Sequence, residues 1–170
     1  MSDSGSSDER QQRNEARAAS RMAVVQALYQ MEMTGADAAV VAQEFAAHRF
    51  TGGEFEDGID LSRADPAFFK ENLFGIVAHQ KDIDSLISKV LSVNWPLSRL
   101  DSTLRALLRA AAYEFLERRD VPARVVMDQY LDIAHAFFDG DEPAFSNGVL
   151  DALARRVRAD EVAPAEDSGE

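Results

Sequence analysis

The sequence predicts an all-α protein, a compact single-domain bundle of about seven helices. Three observations predict it. Apolar residues recur at three- or four-residue steps through most of the chain, the period of a buried helical face. No five-residue stretch alternates apolar and polar residues as a half-buried strand would. Glycine and proline punctuate the joints between the periodic segments. The length suits one domain, because 170 residues, 46% of them hydrophobic, match a single core of ordinary size, usually about 100 to 150 residues. A large multidomain enzyme is excluded.

Each element follows in order. The first helix carries Val24, Leu28 and Met31 as its buried face and stops at Gly35; the second carries Ala38, Val41 and Phe45. Arg49 to Asp65, with Gly52, Gly53 and Gly58, is a long acidic loop. Pro66 suits the first turn of a third helix, where its missing N–H costs nothing, and Phe69, Leu73, Ile76 and Val77 continue it. Ile83, Leu86, Ile87, Val90 and Leu91 mark a fourth, and Pro96 closes that apolar run at Trp95. Ser98 to Asp101 resembles a capping box opening a fifth helix with Leu104, Leu107, Leu108, Ala111 and Phe115. Pro122 and Pro143, each following acidic residues, open two more, with Val126, Tyr130, Ile133 and Phe137, then Phe145, Val149, Leu153 and Val157. The polar ends, 1–12 and 159–170, are too poor in apolar residues to offset the entropy of ordering them. They read as disordered tails around a domain at 13–158.

Composition narrows the function. The chain has no cysteine, which removes disulfide frameworks, thiol nucleophiles and cysteine zinc sites together. No apolar run approaches the ~18 residues of a membrane span, and the acidic opening MSDSGSSDER is unlike a signal peptide. The expectation is a soluble, cytoplasmic protein without a membrane partner. Its net charge of −12 opposes binding of nucleic acid over the whole surface. The charge is uneven, however. Arg10, Arg13, Arg17 and Arg21 face only Glu15, and Arg99 to Arg124 holds six arginines against four acids, so two positive segments sit on an acidic chain.

No catalytic constellation emerges. His48, His79 and His135 lie on different predicted helices without metal-ligand spacing, and no phosphate-binding, dinucleotide or nucleophile-elbow motif is present. The expectation is no enzyme, no cofactor and no metal. The N-terminal arginines are more informative. Spaced three, four and four apart, they form one basic stripe on a helix, the same stripe that Val24, Leu28 and Met31 continue as a buried face. One straight helix cannot bury both, so packing is expected only from about Arg21 onward, with the guanidinium groups free. Tyr29 flanks the apolar stripe one turn after Val25, where a ring is half buried with a face available to stack on a base. The alternative is that the arginines solubilise a frayed end and Tyr29 belongs to the core. In DEPAFSNG, Asp141 and Glu142 suit a helix start. Asn147 and Gly148 are poor helix formers early in a helical run, and Gly148 permits close approach of a neighbouring helix or a ligand.

These residues resemble the NusB family of bacterial transcription antitermination factors. The resemblance is carried by ASRMAVVQALYQMEMTG, LSRLDSTLRALLRAAAYEF, RRDVPARVVMDQYLDIAHAFF and FSNGVLDALARRVR, in register over about residues 17–158. WPLSRLDSTLRALLRA and the acidic insertion near 50–65 look like the alphaproteobacterial branch. The resemblance implies an all-helical factor that pairs with NusE, a small-subunit ribosomal protein, and binds boxA RNA with its help. It further implies loading onto the RNA polymerase elongation complex with other Nus factors, and processive transcription of ribosomal RNA operons. It assigns RNA contact to Arg17, Arg21 and Tyr29, to Arg13 by extension, and to Asp141, Phe145, Asn147 and Gly148. The family's NusE-facing surface is expected within 89–118. Two departures stand out. Ala16, Ala18, Ala19 and Ser20 dilute the arginine cluster, and His135 replaces a lysine, so weaker RNA affinity of the isolated chain is expected. The competing readings are a protein-binding or homodimeric helical scaffold, and a stand-alone relative of the N-terminal domain of an rRNA cytosine methyltransferase.

Overall fold

Periodicity of this kind yields helices throughout the structure, a computed structural model that describes residues 3–52 and 57–162. Seven α-helices run in order: α1 (Asp3–Thr34), α2 (Ala38–Glu44), α3 (Pro66–Ala78), α4 (Gln80–Val90), α5 (Ser102–Glu117), α6 (Ala123–Phe137) and α7 (Glu142–Val157). A π-helical turn (Phe45–Arg49) prolongs α2, and a 3-10 turn (Leu97–Arg99) precedes α5. The described residues include no strand.

Local chemistry sets the joints. Gly35 takes φ +74°, the left-handed conformation that ends many helices, and its N–H reaches Met31 O at 2.9 Å. Two residues later the Asp37 carboxylate accepts from Val40 N at 3.1 Å and caps α2. Pro66 begins α3 as expected. The cap of α5 differs from the expected box. Ser98 lies in the 3-10 turn, and Asp101 is itself the N-cap, accepting from Thr103 N and Leu104 N at 2.9 and 3.2 Å.

The ends also differ. Residues 3–12, expected as a tail, are helix continuous with α1, exposed over residues 4–12. Once later residues have nucleated the helix, each added residue needs only propagation, and Gln11 bonds Glu15 one turn on, at 3.3 Å. Of the expected acidic tail, residues 159–162 are described and carry a turn in which Glu161 N and Val162 N bond Arg158 O. Residues 163–170, residues 1–2 and residues 53–56 of the acidic loop lie outside the described residues.

The chain divides into two units, Met1–Phe74 and Gly75–Glu170; the expected domain, 13–158, spans parts of both. In the first unit Ala23, Val24, Val25 and Ala27 of α1, Val41 of α2, and Phe45, Leu61, Phe68 and Phe69 are buried. Phe45 stacks on Phe69 at 5.4 Å, and Phe50 meets Phe69 edge-on at 5.0 Å. The buried face of α1 therefore centres on Ala23, Val24 and Ala27, while Leu28 and Met31 are only half buried.

In the second unit α5 is buried on almost every side and packs against α4, α6 and α7, as a helix apolar around its circumference must. Arg109 grips Asp84 of α4 through two bonds of 2.8 and 3.0 Å. The Tyr130 hydroxyl of α6 donates to the Glu114 carboxylate of α5, both fully buried. Arg158 is fully buried after α7 and donates to the carbonyls of Phe115, Glu114, Arg118 and Val121 at 2.7 to 3.0 Å. The Glu114, Phe115 and Arg118 carbonyls at the end of α5, and the Val121 carbonyl in the turn beyond it, thus find their partner in a cation, which also complements the helix dipole.

Candidate functional site

The first group of expected site residues lies on α1. Ser20, fully buried, ties this helix to the start of α3. Its hydroxyl accepts from Asp65 N at 2.8 Å and contacts Ala16 O and Asp65 O at 2.8 and 3.1 Å. The Asp65 carboxylate then caps α3 by accepting from Ala67 N and Phe68 N at 3.0 and 3.2 Å. This places the Phe68 ring under the arginines, with the guanidinium carbons of Arg17 and Arg21 at 4.6 and 5.0 Å from its centroid.

Arg21 is therefore not a free guanidinium on a projecting segment. It is only 2% exposed. Arg17 is half buried and Arg13 exposed, so packing begins about one turn earlier than expected, near Ala16. The physical reason is cation–π attraction, strengthened where the cation is desolvated, with a ring from another helix. Arg63 adds an ion pair to Glu15 at 2.9 Å on the same stretch.

Tyr29 is 41% exposed while Val25, one turn before it, is fully buried. The ring thus borders the apolar face and presents part of itself to solvent, as its helical azimuth predicts. Met33, one turn further and 53% exposed, extends this apolar strip. The sequence reading passed over Met33, which lies opposite Val24 on the helix wheel and outside the apolar stripe it followed.

The second group lies at the start of α7. Asp141 is exposed and makes no side-chain cap bond, Phe145 is half buried, and Asn147 and Gly148 are exposed. A β-carbon built on Gly148 would meet nothing within 4 Å, so among the described residues no helix makes the close approach the sequence suggested. Asp141 and Phe145 share a groove of about 420 Å³ with Trp95, Arg99 and Leu104. Trp95 is 54% exposed, and the Arg99 guanidinium lies 5.2 Å from its ring centroid. Trp95 was read only as the end of an apolar run, since nothing local shows that it faces α7.

The described residues contain no group of three His, Cys, Asp or Glu side chains arranged to hold a metal. No described helix is long and apolar enough to cross a membrane.

The NusB family model matches residues 18–155. The chain belongs to the NusB family. The transcription antitermination protein NusB of Agrobacterium fabrum is 47% identical over 144 residues, which cover 85% of this chain and 86% of that protein. The same protein of Mesorhizobium japonicum is 48% identical over 144 residues, 85% of this chain and 92% of that one. Both sources agree with the alphaproteobacterial spelling. Among solved structures, NusB of T. maritima superposes with a TM-score of 0.65 at 30% identity, over 82% of this chain and 90% of that chain. A crystal structure of antitermination factors NusB and NusE in complex with dsRNA gives 0.68 at 23% identity, over 84% and 98%. That last likeness speaks for the NusB fold alone.

Proposed function

We propose that this chain is a transcription antitermination factor that binds boxA RNA together with NusE. It then joins the RNA polymerase elongation complex with other Nus factors and keeps transcription of ribosomal RNA operons processive. The observation that carries this reading is the near full-length similarity to NusB antitermination proteins at 47–48% identity. The working extent is residues 13–158, and the site of action is the cytoplasm. The role is that of an adaptor, not an enzyme.

The arrangement on α1 supports an RNA contact there. Exposed Arg13 and half-buried Arg17 offer phosphate contacts, and the open face of Tyr29 offers a stacking platform. Arg21 acts from below, holding α1 on Phe68. On α7, Asn147 and Gly148 present an open polar surface that RNA can approach closely. With a sparse arginine cluster on a chain whose acids outnumber its bases to a net charge of −12, RNA affinity alone is modest and rises when a partner supplies further contacts.

A gel-shift with boxA RNA, with and without NusE, tests the reading. The expected result is weak, salt-sensitive binding by the chain alone and markedly tighter binding with NusE. Tight, salt-insensitive binding by the isolated chain would contradict it. NusE binding that boxA RNA does not enhance would favour a protein-only scaffold.

A further inference from the structure

Ala16, Ala18, Ala19 and Ser20 read in the sequence as a dilution of the arginine cluster, but the structure gives these small residues a use. Ser20 is fully buried, and its hydroxyl accepts from Asp65 N at 2.8 Å. The three alanines beside it are half-buried. A long cationic side chain at position 20 would push Asp65 away, so small residues on this part of α1 let the start of α3 come close. The same contact brings Phe68 under α1, because the Asp65 carboxylate accepts from Phe68 N at 3.2 Å. The Phe68 ring is only 2% exposed, and the guanidinium carbon of Arg17 lies 4.6 Å from its centroid. Arg21, at 5.0 Å from the same ring, is itself buried, so Arg17 is the member of the pair that reaches solvent.

We propose that Phe68, seated by Ser20 and Asp65, is a positioning residue for RNA binding that holds the Arg17 guanidinium in place for a phosphate. The inference rests on the RNA-adaptor reading above and adds how a sparse arginine cluster serves it. Cation–π attraction draws the guanidinium onto the ring. Stacking engages the face of a guanidinium and spends none of its in-plane N–H donors. It therefore fixes the side chain while leaving the fork in the geometry that pairs with two phosphate oxygens. An arginine on a mobile segment loses its rotamer freedom only when RNA arrives, and that loss weakens binding, whereas a stacked arginine has lost it on folding. Preorganisation thus offsets number. Phe68 is too deeply buried to meet the RNA and acts only through Arg17.

The test measures boxA RNA binding by the full chain, with NusE at saturating concentration, over a range of salt. Phe68→Leu keeps an apolar side chain but removes the ring. It is expected to weaken RNA binding about two- to tenfold, the affinity equivalent of ordering one long side chain on binding. Its salt slope should stay that of the parent, because no cation is lost. Arg17→Ala should lower both affinity and slope, and on that background Phe68→Leu should cost nothing more. Melting temperature serves as the fold control. If Phe68→Leu melts much lower, a ring-fluorinated phenylalanine at position 68 carries the test, since it keeps the shape of the ring while weakening the negative face that attracts the cation. The same loss of affinity is expected from it. Unchanged affinity of Arg17→Ala or of both Phe68 variants overturns the positioning role, and so does an equal loss from Phe68→Leu with and without Arg17; each leaves the adaptor reading standing. Failure of the parent chain to bind boxA RNA even with NusE removes the adaptor reading itself.

Discussion

Tyr113 lies so close to the backbone of Gly75 that a β-carbon at residue 75 would fall 2.2 Å from its hydroxyl oxygen and 2.4 to 2.5 Å from two ring carbons. Tyr113 is buried within α5, so its ring has little room to withdraw. Gly75 is helical, and Gly→Ala in a helix interior ordinarily gains about 0.5–1 kcal/mol. Overpacking here costs about 1–3 kcal/mol and wins. Gly75→Ala should therefore melt several degrees lower than the parent, and Gly75→Ala/Tyr113→Ala should lose less than the two single changes summed. An unchanged or higher melting temperature for Gly75→Ala would show that the ring moves freely.

Acid should loosen the junction of α5, α6 and the segment after α7. Glu161 accepts from Ala123 N at 2.9 Å at the start of α6, and from Arg158 at 2.5 Å. The Ala123 N–H first, and the Arg158 guanidinium second, hold its carboxyl below the ordinary glutamate value. A carboxyl whose folded-state pKa is lowered contributes stability above its unfolded value, about 4.3 for glutamate, and loses it as pH falls through the folded value. Glu161→Gln should thus melt lower than the parent at pH 7, and the two curves should converge as the pH drops below about 4. A constant difference from pH 7 down to pH 3 would place the effect elsewhere.

The arginines of α1 should separate by role. Arg21→Ala removes a buried cation from the Phe68 ring, worth about 2 kcal/mol when desolvated, so its melting temperature should fall by roughly 4–8 °C in a chain of this size. Arg13→Ala touches only solvent-exposed structure and should leave melting unchanged. Its effect should appear in RNA binding instead, lowering the salt slope by about 0.7 for one lost single-strand phosphate contact. Equal melting of the two variants would reverse the assignment.

Tyr29 tests stacking. Loss of one base–aromatic stack costs ~1–3 kcal/mol, so Tyr29→Ala should weaken boxA binding in the presence of NusE by roughly five- to 150-fold. Tyr29→Phe keeps the ring and should bind nearly as the parent does. Because the ring is 41% exposed, melting should change far less than the ~3–5 kcal/mol typical of a core aromatic truncation. A large melting loss with normal RNA binding would return Tyr29 to a structural role.

The positions of these residues were legible in the sequence to different degrees, for physical reasons. Helical periodicity is a property of one segment, so it reveals the seven helices, the stop at Gly35, the start at Pro66 and the flanking azimuth of Tyr29 without knowledge of any neighbour. Family membership is likewise written along the chain. The fate of Arg21 is not, because the same stripe reads as exposed or buried until a ring 47 residues later, Phe68, is brought beneath it by Ser20 and Asp65. The groove is decided the same way. Trp95 and Phe145 are each ordinary apolar residues in their own segments, and only the packing of α5 and α7 sets them around one cleft. Local spacing determines which face a residue occupies on its helix; tertiary structure decides what stands opposite that face, and so whether a charge there is free, stacked or satisfied.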